Sequence, residues 1–596
     1  MASTLVREAV RFLEVKPATG TRRKALHALV VGTVTIGVLS LFFGIPMALT
    51  GLNGIFVALG AFDRSQRSRI VVLSGIAIAY TVLVTLGALT SLLPVWGTVL
   101  VIPLLAAVVA FGYHALLSDP PGPMLLVMGL CAASYIPTLG VPIGQLVLIT
   151  ALSMVLGCGT SVLMQQTHRR AAVERQVGEL RTAVDRLERG ERDQHDEHDE
   201  HDEHDDDSPP DLGTLRDAAF GALFQAQASL VASMPRRRDS PQARAIEAEL
   251  HALHLRLFRL VAATELPWSH LDDRAVGGHY VGSPKAEYLM RWSLSLASPA
   301  FLAARRMGLA ILVGGAFSTA LHFSHPYWAQ MTAALVLSTS TDRITSTLRA
   351  VHRTVGTAVG VLLFFGLHLL HPHPVVVAAI IIACGALTQL LAPRHYALAS
   401  VVITPMPLLM AGMHLTRVEP LMTSRLLETV IGAVAAMLVL WVQGPSTAIV
   451  LVRRQFRRAL LALREVLRQM VVDPDQAASL TSRRNLHYEQ LAAAKALAMV
   501  DRAHPEALRD WDGFEAALGQ LIYTVLVAAR TDDPAHALRW LPMARELDQL
   551  LDALPPVSRD PIDVVAATRA IRRVLQAGRV QPDTSSGSES SAPKPG

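Results

Sequence analysis

The chain has 596 residues, of which 51% are hydrophobic and 17% charged, with a mean hydropathy of +0.36. That is too apolar for an ordinary soluble protein. Its net charge of +5 and pI of 9.2 call for no nucleic-acid partner, because the Lys and Arg fall in loops beside apolar runs, where orientation and anionic lipid account for them.

Residues 1–24 form a polar, basic segment carrying Arg7, Arg11, Lys16, Arg22, Arg23 and Lys24. The apolar run that follows has no cleavage-like small-residue site and leads into further apolar runs, so it does not read as a signal peptide. A helix crosses a bilayer with about 20 apolar residues. Residues 26–43, 70–93, 95–117 and 143–165 meet this, and shorter or Pro-broken runs at 46–62 and 123–140 complete six predicted spans in a first membrane domain, 25–166.

Residues 167–300 are polar and helical in pattern. Val173, Val177, Leu180, Val184 and Leu187 follow the spacing of a short coiled-coil seam, and 245–264 carries a second apolar stripe. Between them, within a linker at 193–211, HDEHDEHDEHDDD places His195, His198, His201 and His204 at every third position among nine acids. A charged block without apolar residues buries no core and stays disordered, and on a helix this spacing would scatter the imidazoles around the axis. The tract reads as a solvated linker; weak wrapping of Zn²⁺ or Ni²⁺ by the four histidines is the alternative.

A second membrane domain, 301–445, holds predicted spans near 305–323, 327–341, 351–371, 374–392, 396–413 and 425–443. Residues 446–580 form another cytoplasmic helical domain, with a stripe at 505–530, and 581–596 a disordered tail. Cys131, Cys158 and Cys384 all lie in apolar runs and read as small buried residues. The sequence therefore predicts an all-α polytopic membrane protein with about twelve spans in two parallel six-helix repeats. Basic residues recur in alternate loops, at Arg64, Arg67 and Arg69, at Arg169 and Arg170, at Arg305 and Arg306, and from Arg453 to Arg458. They put both termini and both helical regions in the cytoplasm of a cell that carries the chain in its inner or plasma membrane. The repeat shows best in GAFDRSQRSR (60–69) against TSTDRITSTLR (339–349). Parallel repeats of this kind are common among secondary transporters.

The second half carries a signature of its own: HPYWAQMTAALVLSTSTDRITSTLRAVHRTVGTAVGVLL (325–363), then PRHYALASVVITPMPLLM (393–410), then RLLETVIGAVAAMLVLWV (425–442). It resembles the FUSC family, the fusaric acid resistance proteins, also called aromatic acid exporters or integral membrane bound transporters. The family pattern of Pro-Tyr-Trp, a Gly-rich R-x-x-G-T-x-x-G helix and Arg-x-Tyr falls on Tyr327 and Trp328, on Arg353, Gly356, Thr357 and Gly360, and on Arg394 and Tyr396. The first half keeps the layout but lacks Pro-Tyr-Trp and the Gly-Thr helix. The resemblance implies export of small aromatic or amphipathic carboxylates, with the proton gradient as a driving force.

An organic anion in a membrane needs a cationic partner and a surface for its ring. Arg343, Arg349, Arg353 and Arg394 are predicted at cytoplasmic helix ends, where topology determinants also lie. Tyr327, Trp328 and His325 are predicted at the outer end, as part of the site or of an aromatic belt, with His325 a proton relay or a hydrated loop residue. Gly356 and Gly360 fit close helix packing. Glu428 is an acid inside an apolar helix, paired with Arg425 at i−3 or serving transport. Asp342 and Arg343, with Asp63 and Arg64 as counterparts, are expected at the cytoplasmic mouth. There Arg343 attracts the carboxylate and Asp342 holds its guanidinium.

No G-x-x-x-x-G-K-[ST] occurs, so this chain encodes no ATPase phosphate cradle, and the absence of a nucleophile elbow or His-Glu-x-x-His argues against an enzyme. No cofactor is expected. The expected partners are the lipid bilayer and a small organic anion, and a homodimer stays open. An anion channel, in the manner of plant malate channels that resemble this family in fold, and a non-transporting membrane scaffold are the alternatives.

Overall fold

The computed structural model describes residues 21–578 apart from 59, 61–65, 117–121, 167–170, 197–211, 234–240, 264–283, 296–297, 339–342, 413–416, 443–445, 473–478, 502–507, 509, 529–536 and 556–561. Among the described residues every regular element is helical. The chain folds into two compact units, residues 1–172 with 285–447, and residues 173–284 with 448–596.

The first unit is the membrane unit. Its first half contains α1 (Thr21–Phe43), α2 (Ile45–Ala48) running through a 3₁₀ turn into α3 (Asn53–Ala58), α4 (Gln66–Thr90), α5 (Val95–Leu116), α6 (Met124–Ala133) and α7 (Ile143–Gln166). The second half, entered through α11 (Ala286–Ser293; α8, α9 and α10 belong to the other unit), contains α12 (Pro299–Ala320), α13 (Pro326–Leu337), α14 (Arg343–Leu369), α15 (Pro374–Leu391), α16 (Tyr396–Ile403), α17 (Pro405–Gly412) and α18 (Glu419–Val442). Eight helices among the described residues, α1, α4, α5, α7, α12, α14, α15 and α18, are long and apolar enough to cross a membrane. The other four expected spans are occupied by short or broken helices. These fall at the same places in both halves, second (α2–α3 and α13) and fifth (α6 and α16–α17). The sequence gives local reasons. Pro326 opens α13 at a first-turn position where its missing N–H costs nothing, and Pro405 stands at the break between α16 and α17.

The packing repeats as well. In the first half α7 packs on α1, α3 and α4, and α4 on α6; in the second, α18 packs on α12, α13 and α14, and α14 on α16. Between the halves α12 packs on α5 and α15 on α1, the same pair of positions exchanged. Glycines set the closest approaches. A Cβ on Gly356 would lie 2.6 Å from the Ala397 carbonyl oxygen, and one on Gly360 2.7 Å from that of Val401, so the GxxxG of α14 is the seat of α16. Gly432 of α18 lies against the Ala329 carbonyl of α13, and Gly157 of α7 against that of Gly54 on α3.

The second unit holds α8 (Ala171–Asp196), α9 (Leu212–Ser233), α10 (Pro241–Ala263), α19 (Ser446–Val472), α20 (Leu480–Asp501), α21 (Trp511–Ala528), α22 (Ala537–Ala553) and α23 (Val564–Ala577). The seam residues Val173, Val177, Leu180, Val184 and Leu187 are all buried, against Phe220, Leu223, Leu250 and Leu257. Arg256 of α10 reaches Asp185 (2.9 Å) and Glu188 of α8; the hydrogen bond it donates to Glu188 holds its guanidinium above the usual range. A second core forms around Leu463, Leu467, Leu521, Ile571 and Trp540. Of the histidine tract, His195 falls at the end of α8 with its side chain undescribed, and His198, His201 and His204 lie outside the described residues.

Candidate functional site

The site is built where the short helix α13 begins. The chain leaves α12 through His322 in the left-handed region (φ +61°), with the His322 N–H on the Thr319 carbonyl (3.0 Å) and the Phe323 N–H on that of Ser318 (3.1 Å). This is a Schellman-type stop, which turns the chain within a few residues into His325. The 12 residues of α13 rise about 18 Å, well short of a bilayer, and at its start His325 and Tyr327 are half-buried.

Trp328 is buried, at 1% exposure, which places it in the core and not in a boundary belt. His325 stacks on it, with ring centroids 4.6 Å apart and planes 16° apart. Tyr327 stacks at 4.8 Å on Tyr135, which the first half contributes from beyond the end of α6. Facing these rings is α18. The Arg425 guanidinium lies over the Trp328 ring, 4.8 Å from its centroid. Glu428 is fully buried; its Oε1 accepts from the His325 backbone N–H and from the Ser424 hydroxyl, both at 2.9 Å. His325 Nδ1 lies 3.1 Å from Ser424 Oγ. Trp328 of α13 thus meets Arg425, while His325 at the start of α13 and Ser424 of α18 itself engage Glu428.

The third wall is α14. Arg353 stands ten residues from its start, about 15 Å along the helix, and so far from that end. It is 1% exposed, and Nε, Nη1 and Nη2 all have no hydrogen-bond partner among the described residues. Arg353 and Arg425 lie close enough for their charges to repel one another. One turn earlier, Arg349 sits over the Tyr396 ring at 4.7 Å, at the start of α16. The half-buried Arg349 and the buried Arg353 and Arg425 thus make a cationic column, closed at the α13 end by the aromatic rings and Glu428.

Of the expected site residues, Arg353, Trp328, Tyr327, Glu428 and His325 come together here. Arg394 is half-buried in the turn leading into α16. Asp342, Asp63 and Arg64 lie outside the described residues, and Arg343 opens α14 with its side chain undescribed. Arg425, Ser424 and Tyr135 were not singled out as site residues by the sequence. A basic side chain inside an apolar helix was the signal available for Arg425, and its acid at i+3 disguised it.

Among the described residues the first half has no such site. Neither α4 beyond Arg69 nor α7 carries a charged residue. Its buried cation, Arg69, donates through Nη2 to the Ala58 carbonyl (2.9 Å) and to Ser161 Oγ (2.6 Å). Where Glu428 meets the start of α13, Ser153 donates to the Gly51 carbonyl.

Residues 310–439, which include all the second-half residues of the cluster, match the family described as fusaric acid resistance protein-like. Two curated relatives are a membrane protein of Bacillus subtilis (strain 168), uncharacterized YvaC, 30% identical over 169 residues, and uncharacterized YhfK of Escherichia coli (strain K12), 31% identical over 195 residues. The matched stretches cover 28% and 32% of this chain, and the chain spans about a quarter of the length of these relatives, 26% and 27%. No solved structure matches.

Proposed function

We propose that this chain, whose second membrane half carries a fusaric acid resistance protein-like domain, exports small organic anions such as aromatic carboxylates across the cell membrane. The observation that carries the reading is Arg353, a buried guanidinium with no partner among the described residues. An uncompensated buried charge costs several kcal/mol, and such residues within membrane helices mark ion and substrate paths. A carboxylate between α13, α14 and α18 would supply the missing partner, and Arg425, held over the Trp328 ring, a second positive charge.

The architecture behind this reading is twelve spans in two parallel six-helix repeats, 25–166 and 301–445. The segment 1–24, the regions 167–300 and 446–580 and the tail lie in the cytoplasm. The repeated packing and the short second and fifth helices support it, since short or broken helices at matching places in two halves point to the substrate site of a transporter. Arg343 and Asp342, at the start of α14, would receive the anion on the cytoplasmic side. In a background with Cys131, Cys158 and Cys384 replaced, Thr416→Cys should react with an impermeant maleimide in intact cells and Ser208→Cys should not; the reverse pattern would overturn this orientation.

Efflux of benzoate from cells or vesicles tests the transport reading. Arg353→Gln should lower it roughly ten- to a hundredfold at equal protein in the membrane, the worth of one charged hydrogen bond of about 1.5–3 kcal/mol. Arg353→Lys should restore it only in part, because an ammonium cannot present the bidentate fork. The run of Arg349, Arg353 and Arg425 along one path favours an anion channel as the second reading. Efflux that fails to saturate and persists without any ion gradient would select it.

A further inference from the structure

Glu428 is built unlike a structural carboxylate. Oε1 accepts two hydrogen bonds, from the His325 N–H and the Ser424 hydroxyl, while Oε2 is buried and has no partner among the described residues. Ser424 has one hydroxyl proton and gives it to Glu428, so the contact of 3.1 Å between His325 Nδ1 and Ser424 Oγ requires Nδ1 to be the donor. The result is a directed chain from a half-buried imidazole through a hydroxyl to a fully buried carboxylate. Among the described residues, the charged and titratable groups facing Glu428 are few. Arg425 comes from its own helix, His325 and Tyr327 from α13, Tyr135 from the first half and Arg353 from α14, behind Arg425. The remaining neighbour, α12, ends beside His325, so its Arg305 and Arg306, in the first two turns, lie at the far end.

Among the described residues Arg425 and Arg353 are therefore balanced from inside the protein by one carboxylate, which occupies the same positive field that an incoming anion would. We propose that Glu428 is a tethered counter-anion, which competes with the transported anion for the field of Arg425 and Arg353 and takes up a proton when that anion binds. A proton arriving at His325 Nε2 releases the Nδ1 proton to Ser424 Oγ, and Ser424 passes its own proton to Glu428. Neutral Glu428 leaves both arginines to the anion. Linkage makes the effect mutual, so the anion raises the proton occupancy and the proton raises the anion affinity. This inference rests on the anion-site reading above.

Calorimetric titration of the purified full chain with benzoate, and with thiocyanate as a ringless anion, tests it in two buffers of different ionisation enthalpy between pH 8 and pH 5. Wild type should take up protons on binding, and its affinity should rise as pH falls, by at most about tenfold per pH unit for one coupled proton. Glu428→Gln should bind with no proton uptake and an affinity that is flat with pH and at least equal to the wild-type value at pH 5. Ser424→Ala, which removes a donor to the charged carboxylate and keeps Glu428, should move the proton-uptake profile to higher pH. Binding lost in Arg353→Gln but with the same proton uptake in wild type and Glu428→Gln would overturn the counter-anion role alone. No binding to wild type, or binding that survives Arg353→Gln, would overturn the anion site and this inference with it.

Discussion

The two membrane halves share a packing plan and differ in what they bury. The first half seats Arg69 on the Ala58 carbonyl and on Ser161, which His27 also meets, so its buried charge is spent on holding the end of α3. The second half holds Arg353 without a partner among the described residues, and Arg425 against the face of Trp328. The plan that stabilises a six-helix set is therefore compatible with either a satisfied or an open cation at its centre. The open one lies in the half that carries the family signature.

The largest expected effect sharpens this contrast directly. Arg353→Gln should cost ten- to a hundredfold in benzoate efflux with the amount of folded protein unchanged or raised, since it removes a charge that folding alone does not reward. Arg69→Met should do the opposite. It strips donors from a buried carbonyl and hydroxyl, a loss of about 1–3 kcal/mol, so the thermal midpoint falls while efflux per folded molecule stays the same. Equal behaviour of the two variants would break the comparison.

Smaller effects follow from the rings. Trp328→Leu removes the desolvated cation–π contact that seats Arg425, worth about 0.5–2 kcal/mol, so anion affinity should drop by at most roughly two- to thirtyfold by calorimetry. In the first half, Tyr80 is buried against Gly129 and its hydroxyl has no partner among the described residues. Tyr80→Phe should leave affinity unchanged and raise the thermal midpoint slightly, because an orphaned hydroxyl is lost. The smallest effect is expected of the tract from His195 to Asp207. Replacing it with a Gly/Ser segment of equal length should change efflux by less than about twofold, since a flexible linker contributes length and not contacts.

The eight long helices and the seam of α8 were legible because each is a periodic or continuous apolar pattern that one helix satisfies locally. The short helices were visible as Pro-broken runs, but treating them as rods spanning the full bilayer put Trp328 at one surface and Arg353 at the other. In the structure α13 is too short to separate them, and both face α18. Arg425 was hidden for a different reason. Its acid three residues on offered a complete local explanation, and only the packing of α13 shows that Ser424 and His325 engage that acid and Trp328 meets the arginine. Tyr135 could not be read at all, since its contact with Tyr327 depends on how the two halves meet.

The asymmetry of the halves is tested most directly by the number of anions one chain binds. Equilibrium dialysis of the purified full chain against radiolabelled benzoate should saturate at a single benzoate per chain, abolished by Arg353→Gln and retained in folded Arg69→Met. Saturation at two equivalent benzoates per chain, or a single benzoate that Arg353→Gln leaves in place, would contradict an anion site confined to the second half.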